Sequence, residues 1–253
     1  MDKHKLQKET SPKSGDVFIR HGSFERYSQL PQYETFKEFL SNPDAFPLSE
    51  KGKEEIKKVV ELIPDKETIS LILSSPYRRT EESARIIQEE LLRQYQKEVP
   101  IKITELLREI DIPPDVVSET EFYELLKKGG AETIADAVFE KWRAGQSGEL
   151  PEEVEKRAKD FLKYTRRVHK WTLHEKIAVI SHTSFGRALR RVIGGRQITL
   201  PRKDDAILET GGHYFIARNP SKEKSNLPGI QQEEFMVLPA EKFIETDKNN
   251  KET

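Results

Sequence analysis

Two short segments constrain the fold more than anything else in the chain: Thr68-Ile-Ser-Leu-Ile-Leu-Ser74 and Lys176-Ile-Ala-Val-Ile-Ser181. Both are rich in β-formers and apolar on both faces, so neither suits a sheet with one face in water. Strands of this kind belong to a parallel sheet covered on each side by helices. Helical patterns do separate the strand patterns along the sequence, the signature of a layered α/β fold. A first strand spans 16–20 and runs into Arg20-His21-Gly22, where glycine permits a tight turn. A short strand follows at 101–104. Segments 206–208, 213–217 and 235–238 close the sheet, the first two joined through Gly211-Gly212.

The helices read as follows. One opens at Leu48-Ser49 and carries Ile56, Val59, Val60 and Ile63 at helical spacing until Pro64 ends it. The next covers 80–95, with Ala84, Ile87, Leu91 and Leu92 as its buried stripe. Helices at 119–128 and 131–144 come next, then a long one from Pro151 to about 173, where proline fits the first turn and two glutamates suit the helix dipole. A basic helix at 184–193 stops at Gly194-Gly195. The expected architecture is a three-layer α/β/α sandwich on a mainly parallel sheet, with a helical insertion at about 110–150 over the active-site edge. One catalytic domain would span 15–245, between polar tails at 1–14 and 246–253 that are expected to be disordered. The length of 253 residues suffices for one core burying roughly 70–75 % of the unfolded surface.

Composition removes several classes. The 43 Lys+Arg balance 44 Asp+Glu, for a net charge of −1, so nothing draws the chain over long range to nucleic acid or an anionic membrane. There is no Cys, hence no disulfide framework, thiolate nucleophile or Cys-ligated metal. No His-Glu-x-x-His or comparable spacing occurs, so no metal site is expected. The longest apolar runs fall far short of the roughly 20 residues of a membrane helix, and the first sixteen residues contain no signal-like apolar stretch. The expectation is a soluble cytoplasmic protein with no nucleic-acid or membrane partner, self-association being left open.

In parallel sheets, ligands bind beyond the carboxyl ends of the strands. Two strands here end in histidine, as Arg20-His21-Gly22 and Ser181-His182-Thr183. A third ends in Ser74-Ser75-Pro76-Tyr77-Arg78-Arg79-Thr80, and a fourth runs into Glu105-Leu-Leu-Arg-Glu109. If these strands are neighbours, two imidazoles, at least two guanidiniums and a carboxylate converge. Guanidinium forks match phosphate oxygens, and an imidazole can attack phosphorus.

The same residues resemble the histidine phosphatases, the phosphoglycerate mutase-like superfamily. The resemblance rests on Phe18-Ile-Arg20-His21-Gly22, Leu48-Ser49-x-x-Gly52, Ser75-Pro76-Tyr77-x-Arg79-Thr80, Leu107-x-Glu109 and Val179-Ile-Ser181-His182, in that order, over roughly residues 16–218. It implies a phosphomonoester hydrolase with no metal or organic cofactor, acting on a small phosphorylated substrate. His21 would be the phosphorylated nucleophile, Glu109 the acid, and His182 a catalytic partner. Arg20, Arg79, Gly22, Ser23 and Thr183 would bind the substrate. Glu105 and Asp111 stay open as alternative acids. The casting expects a neutral His21, a charged His182 and a protonated Glu109, with the two imidazole pKa values pushed apart. Two other readings are a cofactor-dependent mutase, which needs a closed, dry pocket, and an inactive module that binds a phospho-ligand.

The sequence departs from the family where Ser23-Phe24 follow Arg-His-Gly, where Thr183-Ser184 follow the second histidine, and where Ile110-Asp-Ile-Pro-Pro114 trails the acid. The stretch 23–47 is rich in aromatics (Phe24, Tyr27, Tyr33, Phe36, Phe39, Phe46) and reads as a lid or pocket wall. Arg78 is expected to face solvent. His4, His169 and His174 are assigned no role, His213 a structural one, and Arg187, Arg190 and Arg191 a solvated face.

Overall fold

The computed structural model describes residues 16–25, 31–145, 148–168, 175–195, 211–218 and 235–239. The two tails, Tyr27, His4, His169, His174 and the strand expected at 206–208 lie outside them. Among the described residues six strands form one sheet: β1 (Asp16–Arg20), β2 (Ile69–Ser74), β3 (Ile101–Ile103), β4 (Lys176–Ser181), β5 (His213–Arg218) and β6 (Phe235–Pro239), in the order β3-β2-β4-β1-β5-β6. The first four positions are parallel, while β5 runs against β1 and β6 against β5.

Alternation along the strands divides the core. Val17, Ile19, Ile72, Ala178 and Ile180 point to one face, under α2 (Glu50–Leu62) and α3 (Arg78–Tyr95). Phe18, Leu73, Ile177 and Val179 point to the other, under α5 (Pro151–Val168) and α6 (Thr183–Ile193). This is the period-2 partition of a doubly covered sheet. The expected three-layer sandwich is what the chain forms.

The insertion is α4 (Glu119–Arg143), broken at Gly129-Gly130 as its two sequence patterns require. Gly130 sits at φ 73, a left-handed conformation that suits glycine. Within the aromatic stretch read as a lid or pocket wall, α1 (Tyr33–Ser41) forms. Phe36 and Tyr33 pack on Phe122 of α4, with ring centroids 5.2 and 5.5 Å apart, and Tyr33 Oη donates to Val117 O at 3.1 Å. Aromatic stretch and insertion therefore form one cover. The helix boundaries move only slightly, α3 starting at Arg78 and α6 at Thr183. The basic residues of α6 are not a solvated face: Arg191 is buried, and Arg187 lies over Phe139 at 4.5 Å.

Candidate active site

Strand order builds the site. β4 lies between β1 and β2, so their carboxyl ends are adjacent. The ladder continues one step beyond them, with His21 N donating to Ser181 O and Ser75 N to Ile180 O, both at 3.1 Å. His21 and His182 are thereby set side by side, fully buried, with ring centroids 5.1 Å apart.

Arg79, in the first turn of α3, lies between them. Its Nε donates to His21 Nε2 at 3.1 Å, one terminal nitrogen donates to His182 Nδ1 at 3.2 Å, and the other to Pro43 O at 2.7 Å. The faces of Phe39, Tyr77 and Phe24 surround the guanidinium at 5.1, 5.2 and 5.7 Å, a cation–π setting for a buried charge. These contacts fix both tautomers. His21 Nδ1 faces Gly22 O at 2.8 Å; a carbonyl only accepts, so Nδ1 bears the proton and Nε2 the lone pair. His182 Nδ1 accepts from Arg79, so its proton is on Nε2, directed at Ser75 Oγ 2.8 Å away.

Burial, then the charges of Arg79 and Arg20, holds the His21 pKa well below that of an ordinary histidine. His182 is held down in the same way, by burial first and then by Arg79. The protein's own groups thus do not push the two imidazoles apart: a neutral His21 is as expected, a charged His182 is not. Burial also lowers Arg79 to about 10. Both histidines titrate lower in the folded chain than their unfolded value of about 6.5, so between those values the unfolded chain binds more protons. Stability should fall as pH drops through about 6, by up to about 1.4 kcal/mol per histidine per pH unit. Urea melts at stepped pH would read this, and a His21→Gln/His182→Gln double variant should flatten the dependence.

Glu109 follows β3 and the turn Glu105–Leu107. Its Oε1 accepts from Ile110 N and Phe185 N, both at 2.9 Å, and Oε2 from Ser184 N at 3.2 Å. The carboxylate therefore sits on the N-terminal turn of α6, next to His182, and its charge reaches Arg79 and Tyr77. Glu105 and Asp111 are exposed; of the three carboxylates, Glu109 is the one the fold brings inward. Arg20 lies at the end of β1, where its charge acts on His21, His182 and Arg79.

Gly22 is where two backbones meet: a Cβ there would come within 2.3 Å of Gly52 O, and one on Gly52 within 1.8 Å of Ser23 O. Ser49 caps α2 and donates to Ser23 O at 3.0 Å. Ser23 is itself anchored by the protein. Its amide and hydroxyl donate to the Glu55 carboxylate at 2.7 and 2.9 Å, which leaves its hydroxyl proton engaged by the protein. Thr183 opens α6, its hydroxyl buried with no hydrogen-bond partner among the described residues. Arg78 is exposed and pairs with Glu82 at 2.9 Å. Ser75 and Tyr77, whose ring lies 5.0 Å from His182, belong to the site although only their motif drew attention to them. Among the described residues no group of three His, Cys, Asp or Glu could hold a metal ion, and no helix is long and apolar enough to cross a membrane.

Residues 17–211 match the family model of the histidine phosphatase superfamily (branch 1). Solved structures with the same fold include a protein described as mycobacterial hydrolase 1, at TM-score 0.57 and 16 % identity over 88 % of this chain and 95 % of that one. A mycobacterial glucosyl-3-phosphoglycerate phosphatase in complex with VO3 aligns at TM-score 0.56 and 15 % identity, with the same coverages. YhfR of Bacillus stearothermophilus aligns at 0.56 and 16 %, over 86 % of this chain and 98 % of its own. Such identities show a shared fold. By sequence, the chain matches no curated protein.

Proposed function

Because this chain belongs to the histidine phosphatase superfamily, branch 1, we propose that it hydrolyses a phosphomonoester through a phosphohistidine on His21, without a metal ion. The observation that carries this reading is the fixed tautomer of His21. Its Nδ1–H is held by Gly22 O, so the lone pair on Nε2 faces the Arg79 guanidinium. A nucleophile thus stands beside the cation that a phosphoryl group would seek.

In the forward step Nε2 forms a bond to phosphorus as the ester P–O bond breaks. Its electron pair leaves on oxygen and takes a proton from Glu109. Arg79 must turn its Nε–H from the lone pair to a phosphoryl oxygen, and with Arg20 it neutralises the charge spread over the three oxygens, while the incoming anion favours protonation of the neighbouring His182 as a further donor. Water then attacks phosphorus, gives its proton to Glu109, and the P–N bond breaks to regenerate His21. A structural neighbour that is itself a phosphatase supports this reaction class.

Phosphate release from p-nitrophenyl phosphate should be unchanged by EDTA. Vanadate should inhibit competitively and more tightly than phosphate, because its five-coordinate form resembles the transition state. Loss of the activity on chelation, restored by a divalent cation, would overturn the metal-free reading.

A further inference from the structure

The mechanism leaves out a buried ion cluster behind Glu109. Arg157 of α5 and Glu149 are both buried and pair through two bonds, Nε to Oε1 at 2.9 Å and a terminal nitrogen to Oε2 at 2.7 Å. The other terminal nitrogen of Arg157 donates to Arg108 O at 2.6 Å and Leu106 O at 3.3 Å. Its guanidinium lies 4.6 Å from the ring centroid of Phe185, the residue whose amide holds Glu109 Oε1. Arg157 thus touches both the peptide that leads into Glu109 and the residue that anchors its carboxylate. Glu149 closes the arrangement from the other side. It pairs with the Arg108 side chain at 3.0 Å, its amide donates to Asp111 O at 3.0 Å, and its carbonyl accepts Trp142 Nε1 at 2.6 Å.

We propose that Arg157 and Glu149 are positioning residues that clamp the 108–111 segment on both sides of Glu109 and fix its carboxyl for proton transfer to the leaving oxygen. The proposal rests on the reading of Glu109 as the acid. The clamp also ties that acid to Trp142 at the end of α4, so the insertion supports catalysis as well as covering the site. A fork with two terminal nitrogens suits such a clamp, since one guanidinium can serve a carboxylate and two carbonyls at once, which an ammonium cannot do in the same geometry. Displacing an acid by about 1 Å costs up to about 10²-fold in rate.

The test compares β-glycerophosphate, whose alkoxide needs a proton, with p-nitrophenyl phosphate, whose leaving group does not. Glu109→Gln should slow the alkyl ester by about 10²–10⁴-fold and the aryl ester far less. Arg157→Lys and Glu149→Gln should each lower kcat on β-glycerophosphate by about 10- to 100-fold, with KM little changed and the aryl ester within about threefold. In a Glu109→Gln background neither should add a further loss, because the clamp acts through the acid. Equal losses on both esters, no loss on either, or additive losses in that background would overturn the clamp. If Glu109→Gln itself slows both esters equally, the acid reading fails and the clamp falls with it; a normal Glu109→Gln signature with insensitive clamp variants rejects the clamp alone. Should Arg157→Lys lose its cooperative melt, Glu149→Gln and the charge-free pair Arg157→Met/Glu149→Met carry the same comparison.

Discussion

Replacing His21 with Ala should lower kcat on every phosphomonoester by about 10³-fold or more, since on the proposed route it removes the atom that bonds to phosphorus. The variant should keep its circular dichroism spectrum and a cooperative melt, because His21 stands at a strand end where Val17, Phe18 and Ile19 make the core contacts. Rapid acid quenching of the wild-type protein with labelled substrate should trap an acid-labile, base-stable phosphoenzyme that His21→Ala does not form. The pH profile offers an independent check. Burial and two arginines hold the His21 pKa down, so the neutral imidazole persists below pH 6.5 and the acid limb of kcat/KM should lie on the acid side of an ordinary histidine. A His21→Ala variant with more than a few per cent of the wild-type rate, or no trapped phosphoenzyme, would exclude the covalent route.

Arg79→Met should be comparably damaging, by about 10³–10⁵-fold, the scale on which arginines serve phosphoryl transfer. The guanidinium contacts both imidazoles and the Pro43 carbonyl together. Lysine supplies the charge from one point only, so Arg79→Lys should recover a small part of the rate. A second readout follows from electrostatics. Arg79 helps depress both histidines, after burial, so removing its charge should raise both imidazole pKa values while leaving them below 6.5. NMR titration of the imidazoles would show this. A downward shift, or full activity in Arg79→Lys, would mean that the guanidinium does not sit between the rings.

Much of the site was legible because residues at strand ends are tied to local signals. The apolar runs gave β1 and β4 to the residue, and the turn after each delivers its histidine. Ser49-x-x-Gly52 read as a helix start, and Ser49 is indeed the cap of α2. What was not legible is what is set across the fold. Glu55, a turn into α2, takes the amide and hydroxyl of Ser23. The aromatic stretch 23–47 was assigned no helix, and packing of Phe36 on Phe122 supports one between Pro31 and Pro43. Arg187 and Arg191 read as solvated because charge normally is; the apolar faces around them bury their stems.

By itself, then, the sequence determined which segments are strands and helices, through apolar periodicity, and which side chains stand at the ends of strands. Tertiary structure alone decided that β4 lies between β1 and β2. That order sets His21 against His182 across 160 intervening residues and inserts Arg79 between them. It also decided their protonation. An imidazole pKa depends on lost water and on charges within a few ångströms, and those neighbours come from α3, β1 and the cover rather than from adjacent residues. The Arg157–Glu149 clamp is of the same kind: no local pattern links α5 to the loop after β3, and only packing of α5 beneath Phe185 makes the contact.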